Sequence, residues 1–388
     1  MRRVHGVWFS SVVALALGCG DDQRCGWDGP EGCLPGAETV VLAEWSLLTT
    51  QTDALLAVQN DDVLMLTRSE LRRIAKDGSH DTLEATPEAG YRFMHLVADG
   101  AELYFVETNQ DDLPLGGLLD VRVRRVDPDG AAPVTQVSYA APAHGLAVEG
   151  HAAVTWFCYG GGCLLDVLDF GAGTRAEVDL DARPVNDPRA VLHAGMLDML
   201  TTERNSPTGT DVSIALTRFD AATGAVVASF PLGNTVGTSF VSVDSGPTRV
   251  GDTVYVSATP VLNEERIYTY PLGAPEAVVL LDDDPQDGTA WRAGAEVVAG
   301  DEQGVFFNGF FEHQREERQL EAWFGVARYD APSRGYVEVI DGNYINEPTL
   351  AVDATHLFVT YLERVCTRTG ESCNNDQATT RQLVRVSR

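Results

Sequence analysis

One arrangement recurs seven times along the 388 residues: an apolar run, a tight turn, then a second apolar run of alternating character. The segments are LLAVQNDDVLMLT (55–67), LVADGAELYFVE (96–107), LAVEGHAAVTWF (146–157), VLHAGMLDMLTT (191–202), TRVGDTVYVSA (248–258), VVAGDEQGVFFN (297–308) and LAVDATHLFVTY (350–361). Alternation on both sides of a short turn predicts an antiparallel hairpin. A third strand follows each hairpin, as in LRRIA, VRRV and, at the C-terminus, LVRVSR. A fourth follows in six of the seven units, as in DTLEA, PVTQVS, EAVVLL and YVEVI. The seventh unit stops after three strands, at Arg388.

The missing strand has a donor. ETVVLAEW (38–45) precedes the first hairpin, has no partner of its own and matches the fourth-strand pattern. Repeats of about 50 residues with four strands each resemble the blades of β-propellers. The expected fold is all-β: a seven-bladed β-propeller of four-stranded antiparallel blades, its ring closed by the N-terminal strand completing the C-terminal blade. Closure of this kind also removes two open sheet edges, which otherwise invite aggregation.

Ahead of the ring the chain reads MRRVHGVWFSSVVALALGCGDD. Arg2 and Arg3 precede a short apolar stretch, the grammar of an export signal and too short for a membrane span. Its end, ALGC, resembles the bacterial lipobox, and that resemblance implies cleavage after Gly18 and acylation of Cys19. Gly20 stands where inner-membrane lipoproteins of that family often carry aspartate, so the expected address is the outer membrane. The domain plan is therefore a signal peptide over 1–18, a lipidated cysteine and Gly/Asp/Pro-rich tether over 19–37, and the propeller over 38–388. As a whole the chain resembles exported bacterial propeller lipoproteins, a resemblance that specifies fold and address and implies no activity.

Six further cysteines fall into close pairs: Cys25 with Cys33, Cys158 with Cys163, and Cys366 with Cys373. Six cysteines allow 15 pairings, and closeness in an oxidising compartment favours these three disulfides. Metal sites use tighter spacings such as C-x-x-C, or nearby histidines. The charge balance is 28 basic residues against 57 acidic, a net of −29. Such a surface repels phosphate backbones and argues against nucleic acid as a partner. Lys76 is the only lysine, which reads as composition rather than as a device.

The turns within hairpins are short, whereas the connections at the other ends of the strands are long and varied, as in GFFEHQREERQL (309–320) and, between blades, PLGNTVGTSFVSVDSGP. In a propeller these long connections all fall on one face, and loops on a rigid scaffold are where binding and catalysis usually sit. Two positions on that face echo each other. Tyr91 and Arg92, like Trp291 and Arg292, open an innermost strand near the central channel. An aromatic ring beside a guanidinium suits a planar or anionic ligand, and Tyr344 in NYINEP adds to the same rim. The same pairs also read as arginines satisfying some of the many carboxylates.

Asp282, Asp283 and Asp284 in LDDDPQDG suggest calcium, but no EF-hand register fits: a proline falls at a ligand position and a glycine at the twelfth. SVDSGPT (242–248) carries the Asp-box pattern of sialidases only once, with Arg249 in place of the aromatic residue. There is no G-x-S-x-G, no H-E-x-x-H and no P-loop. The reading that results is an envelope-anchored binding or scaffolding module, monomeric, meeting an envelope protein, a glycan or a small ligand through its long-loop face. It touches the membrane through the lipid alone and needs no cofactor unless calcium binds. The alternative is an enzyme, a hydrolase or lyase on glycans or lactones, with its site at the channel mouth. The silence of the motifs leans away from it.

Overall fold

The computed structural model describes residues 39–46, 54–109, 120–159, 162–181, 189–204, 212–235, 246–261, 264–281, 290–315, 319–331, 335–341, 345–363 and 380–388. They form seven four-stranded antiparallel sheets. Blade 1 is β2 (Leu55–Gln59), β3 (Asp62–Leu66), β4 (Leu71–Ala75) and β5 (Asp81–Ala85). Blade 2 is β6 (Arg92–Asp99), β7 (Glu102–Thr108), β8 (Val121–Arg125) and β9 (Val134–Tyr139). Blade 3 is β10 (Gly145–Glu149), β11 (Ala152–Tyr159), β12 (Gly162–Asp169) and β13 (Thr174–Asp179). Blade 4 is β14 (Ala190–His193), β15 (Met196–Arg204), β16 (Val212–Asp220) and β17 (Val226–Thr235). Blade 5 is β18 (Thr248–Val250), β19 (Thr253–Val261), β20 (Glu264–Pro271) and β21 (Val279–Leu280). Blade 6 is β22 (Ala290–Asp301), β23 (Gly304–Arg315), β24 (Gln319–Asp330) and β25 (Gly335–Asp341).

Blade 7 closes the ring as the sequence predicts. β26 (Ile345–Val352), β27 (His356–Glu363) and β28 (Thr380–Ser387) are completed on the outside by β1 (Thr39–Ser46). β1 runs antiparallel to β28 from Thr39 opposite Val386 to Ser46 opposite Thr380.

The core is divided among the blade interfaces, with one apolar cluster between each pair of neighbours. The period of two in the sequence explains the division. In β3, Val63 and Met65 face blade 7, packing with Ala351, Phe358 and Leu383, while Leu64 and Leu66 face blade 2, packing with Phe93, Leu103 and Phe105. Both faces of every sheet are therefore buried near the axis. The outer, fourth strands are more exposed, and there Leu83, Val134, Val226, Val227, Val279 and Val337 are scattered exposed aliphatics.

Polar ties join the blades on the short-turn face. Gln59 Nε2 donates to Ala101 O (3.2 Å), the Gly150 amide to Asp99 (2.6 Å), and the Ala194 amide to Glu149. Arg218 donates to Gly273 O (2.8 Å), and Arg388 to Asp301 (2.6 Å). Each tie crosses from one blade to its neighbour.

Three details depart from the sequence reading. GFFEHQREERQL (309–320) is expected to be a loop, yet β23 continues to Arg315 and β24 starts at Gln319. The two strands stay paired because Phe311, fully buried, lies opposite Trp323, and Gly309 has no Cβ to strike the Gly294 carbonyl. In blade 4 the ladder likewise carries PLGNT into β17. In blade 5 the fourth strand shrinks to two residues, since Pro275–Ala277 forms a 3-10 turn where a strand is expected. No helix among the described residues is long and apolar enough to cross a membrane.

Candidate functional site

The innermost strands β6, β10 and β14 all begin on the long-connection face, and neighbouring members pack together along the channel. Arg92 opens β6, His144 immediately precedes β10, and Arg189 immediately precedes β14. Topology thus sets three basic residues from blades 2, 3 and 4 around one sector of the channel mouth.

Each is positioned by local structure. The His144 amide donates to Trp156 O (2.6 Å), and its ring lies 4.3 Å from that of Phe157, tilted by 58°. Gly145 allows this approach: a Cβ there would fall 2.0 Å from the Trp156 ring, which lies directly across the ladder. The backbone at Arg189 is covered by Gly246, whose Cβ would fall 2.8 Å from Arg189 O.

His95 stands among them. β6 has a bulge here: Met94 faces Val106 and Leu96 faces Phe105, leaving His95 without a cross-strand partner. Its φ of 48° lies in the left-handed region, which a side chain with Cβ seldom adopts outside strained or functional positions. Bulges commonly re-aim a side chain beside a site. Its Nε2 is sealed from solvent and has no hydrogen-bond partner among the described residues. Burial pushes its pKa down to about 4, and the charges of His144, Arg189 and Arg92 push in the same direction. At neutral pH burial above all keeps His95 a neutral imidazole. The chemistry gathered here is that of basic side chains from three blades near a buried ring nitrogen.

Tyr91 is held differently. Its hydroxyl donates to Asp120 Oδ2 (2.7 Å), and the Arg122 guanidinium sits 4.4 Å above its ring. Arg122 also reaches Glu88 (2.8 Å) and, with Arg124, the fully buried Glu107. The hydrogen bond to Asp120 raises the tyrosine pKa. One face and the polar end of Tyr91 are therefore occupied by blade 2 itself. Trp291 and Arg292 lie in β22 opposite His313 and Glu312, and their side chains fall outside the described residues. Tyr344, Asp282, Asp283, Asp284, Cys19, Cys25, Cys33, Cys366 and Cys373 also fall outside them. Among the described residues no three His, Cys, Asp or Glu side chains gather as metal ligands.

Cys158 and Cys163 are bonded, as expected, with Cα atoms 4.1 Å apart and in direct register across β11 and β12. The bridge closes the second-to-third strand loop of blade 3 on the same face as His144. Arg189 was not legible as a site residue. The available signal was positional: like His144, it stands one residue ahead of an innermost strand.

The fold defines the class: an all-β, seven-bladed propeller of four-stranded antiparallel blades. No protein-family model and no curated protein sequence matches the chain. Solved structures similar to it include a puromycin-hydrolyzing peptidase of Mycobacterium tuberculosis, at 14% identity and a TM-score of 0.44, covering 83% of this chain and 53% of that one. The β-propeller domain of the Trilobed protease from Pyrococcus furiosus is 12% identical with a TM-score of 0.44, covering 87% and 94%. An acylaminoacyl peptidase is 12% identical with a TM-score of 0.47, covering 85% and 51%. The chain spans about half the length of the two peptidases. At these scores the likeness carries no argument about activity.

Proposed function

We propose that the protein is an exported propeller, anchored by lipid at Cys19 to the outer membrane, that serves as a binding module and takes its ligand at the channel mouth on blades 2 to 4. The observation that carries this reading is the placement of Arg92, His144 and Arg189 at the heads of the innermost strands of blades 2, 3 and 4, on the face that also carries the Cys158–Cys163 bridge. Arg292 and Trp291, with Tyr344, extend the same rim in this reading, and the Cys158–Cys163 bridge stiffens its blade 3 side. The partner is an envelope protein, a glycan or a small ligand. The net charge of −29 speaks against nucleic acid.

Thermal-shift measurements on the mature chain test the proposal, using neutral oligosaccharides, uronic-acid oligosaccharides, phosphorylated sugars and short peptides of either charge. At least one class raises Tm in the parent protein and fails to do so in the Arg92→Gln/Arg189→Gln variant. Stabilisation that ignores this double substitution, or none by any class, overturns the reading.

A further inference from the structure

We infer that Tyr91 is a stacking platform for one neutral sugar residue of a glycan that runs along the rim past Arg92, with Glu88 accepting its hydroxyls. The inference rests on the binding reading above and adds the ligand class and the residues that grip it.

The chain builds the platform locally. Glu88 to Tyr91 is a tight turn, closed by the Tyr91 amide donating to Glu88 O (2.9 Å), with Gly90 at a φ of 83°. The Glu88 amide pins the turn by donating to the fully buried Glu107 (3.0 Å). The Tyr91 hydroxyl donates to Asp120 (2.7 Å), and Ser138 Oγ (3.0 Å) and Arg122 Nε (3.1 Å) hold that carboxylate in place. The Arg122 guanidinium covers one face of the ring at 4.4 Å. The ring is thus fixed at its polar end and on one face before any ligand arrives, which lowers the entropic cost of binding.

A network that served packing alone would bury the ring. Instead Tyr91 is only half-buried, the Glu88 side chain is 66% exposed, and a Cβ on Gly90 would meet nothing within 4 Å. The charges of the cluster are already matched. Arg122 meets Glu88 (2.8 Å), Asp120 (3.1 Å) and Glu107 (3.6 Å), and Arg124 meets Glu107 (3.1 Å). An anion therefore finds no uncompensated cation among these residues, and Arg122 already takes a cation's place against the ring. What remains on offer is a flat ring face with acceptor oxygens at its rim. Glu88 keeps lone pairs beyond its contact with Arg122, and the exposed Ser138 Oγ, which donates to Asp120, keeps its own. A pyranose ring is the complement of this surface. It presents C–H groups of partial positive charge on one face, suited to the negative face of an aromatic ring, and hydroxyl donors around its edge.

Saturation-transfer NMR on the mature chain tests the inference with methyl β-glucoside, methyl α-mannoside, methyl β-galactoside and N,N′-diacetylchitobiose. Glucuronate and choline serve as charged controls. At least one neutral sugar is expected to receive saturation, strongest at the C–H protons of one ring face. Tyr91→Ala abolishes the transfer and Tyr91→Phe keeps it. Glu88→Gln weakens affinity by at least about threefold, as loss of a charged acceptor does. Thermal melting shows that each variant is folded. Should Tyr91→Ala fail to fold, Glu88→Gln carries the test, and an unchanged affinity there overturns the inference.

No transfer to any neutral sugar overturns the inference without recourse to a variant. So does transfer that survives Tyr91→Ala in a folded chain, because the sugar then sits elsewhere. Tyr91-dependent binding of choline or glucuronate, with none of the neutral sugars, identifies a charged ligand and overturns it too. A ligand of another class that depends on Arg92 and Arg189 but ignores Tyr91→Ala overturns this inference alone and leaves the binding module standing. Absence of any ligand at the mouth overturns both.

Discussion

The only lysine of the chain, Lys76, places its Nζ 2.8 Å from Asp353 Oδ2, joining blade 1 to blade 7 across the seam where the ring closes. Asp353 also accepts the amides of Thr355 and His356 and the Thr355 hydroxyl. Burial alone would raise its pKa, but the bonds from Lys76, Thr355 and His356 outweigh it and hold the carboxyl at about 2. Arg385 reinforces the seam by donating to Lys76 O (2.8 Å).

The seam therefore has a pH signature. A carboxyl held below its unfolded value contributes stability above about pH 4, and that contribution fades as pH falls from about 4 to 2. Lys76→Met is expected to cost about 1 kcal/mol at pH 7. The difference in Tm from the parent protein shrinks towards pH 2, as scanning calorimetry at the two extremes reads directly. An equal difference at both pH values would show that Lys76 acts through packing alone.

Asp198 anchors the tie between blades 4 and 5. It is 2% exposed and receives both arms of Arg218, at 2.7 and 2.8 Å, and the Tyr270 hydroxyl at 3.1 Å. Asp198→Ala leaves a half-buried guanidinium without its carboxylate and strands a buried hydroxyl. The expected loss is about 3–5 kcal/mol, measured as a lower midpoint in urea. A loss below about 1 kcal/mol would mean that water replaces the carboxylate at little cost.

Gly145 is a packing requirement more than a conformational one. Alanine there would drive its Cβ into Trp156, 2.0 Å away. Overpacking of this kind costs about 1–3 kcal/mol. Trp156→Leu is expected to restore part of the loss in a double-mutant cycle, because the clash is between these two side chains. Strict additivity of the two substitutions would refute the clash.

The Cys158–Cys163 bridge closes a very short loop, so its removal is expected to cost about 2 kcal/mol by loop-closure entropy. Comparison of the parent protein with Cys158→Ser/Cys163→Ser under non-reducing conditions measures this. Thiol counting on the denatured, unreduced chain shows whether the bond is present at all.

Most of the fold was legible because a propeller writes itself into sequence as period-two strands repeated at a fixed spacing. The donation of β1 to blade 7 followed from counting strands. Where the reading failed, local pattern met tertiary context. Residues 309–315 look like a polar loop from Glu312 onward, yet the ladder extends through them, anchored by Phe311 and Gly309. Lys76 looked like a trace of composition, and its role depends on a contact with a residue 277 positions away. The candidate site was half legible. Arg92 was visible from its place at the head of a strand. Arg189 was not, since a meeting of separate blades leaves no linear motif.

The claim that basic residues of three blades meet around His95 is tested most directly by the proton affinity of that one side chain. Histidine side-chain NMR of the mature chain, titrated between pH 3 and 8, is expected to find His95 titrating at about 4. In Arg189→Gln the value rises, because one of the charges that depress it is gone. A His95 that titrates near the ordinary value of about 6.5 and ignores Arg189→Gln would contradict the account.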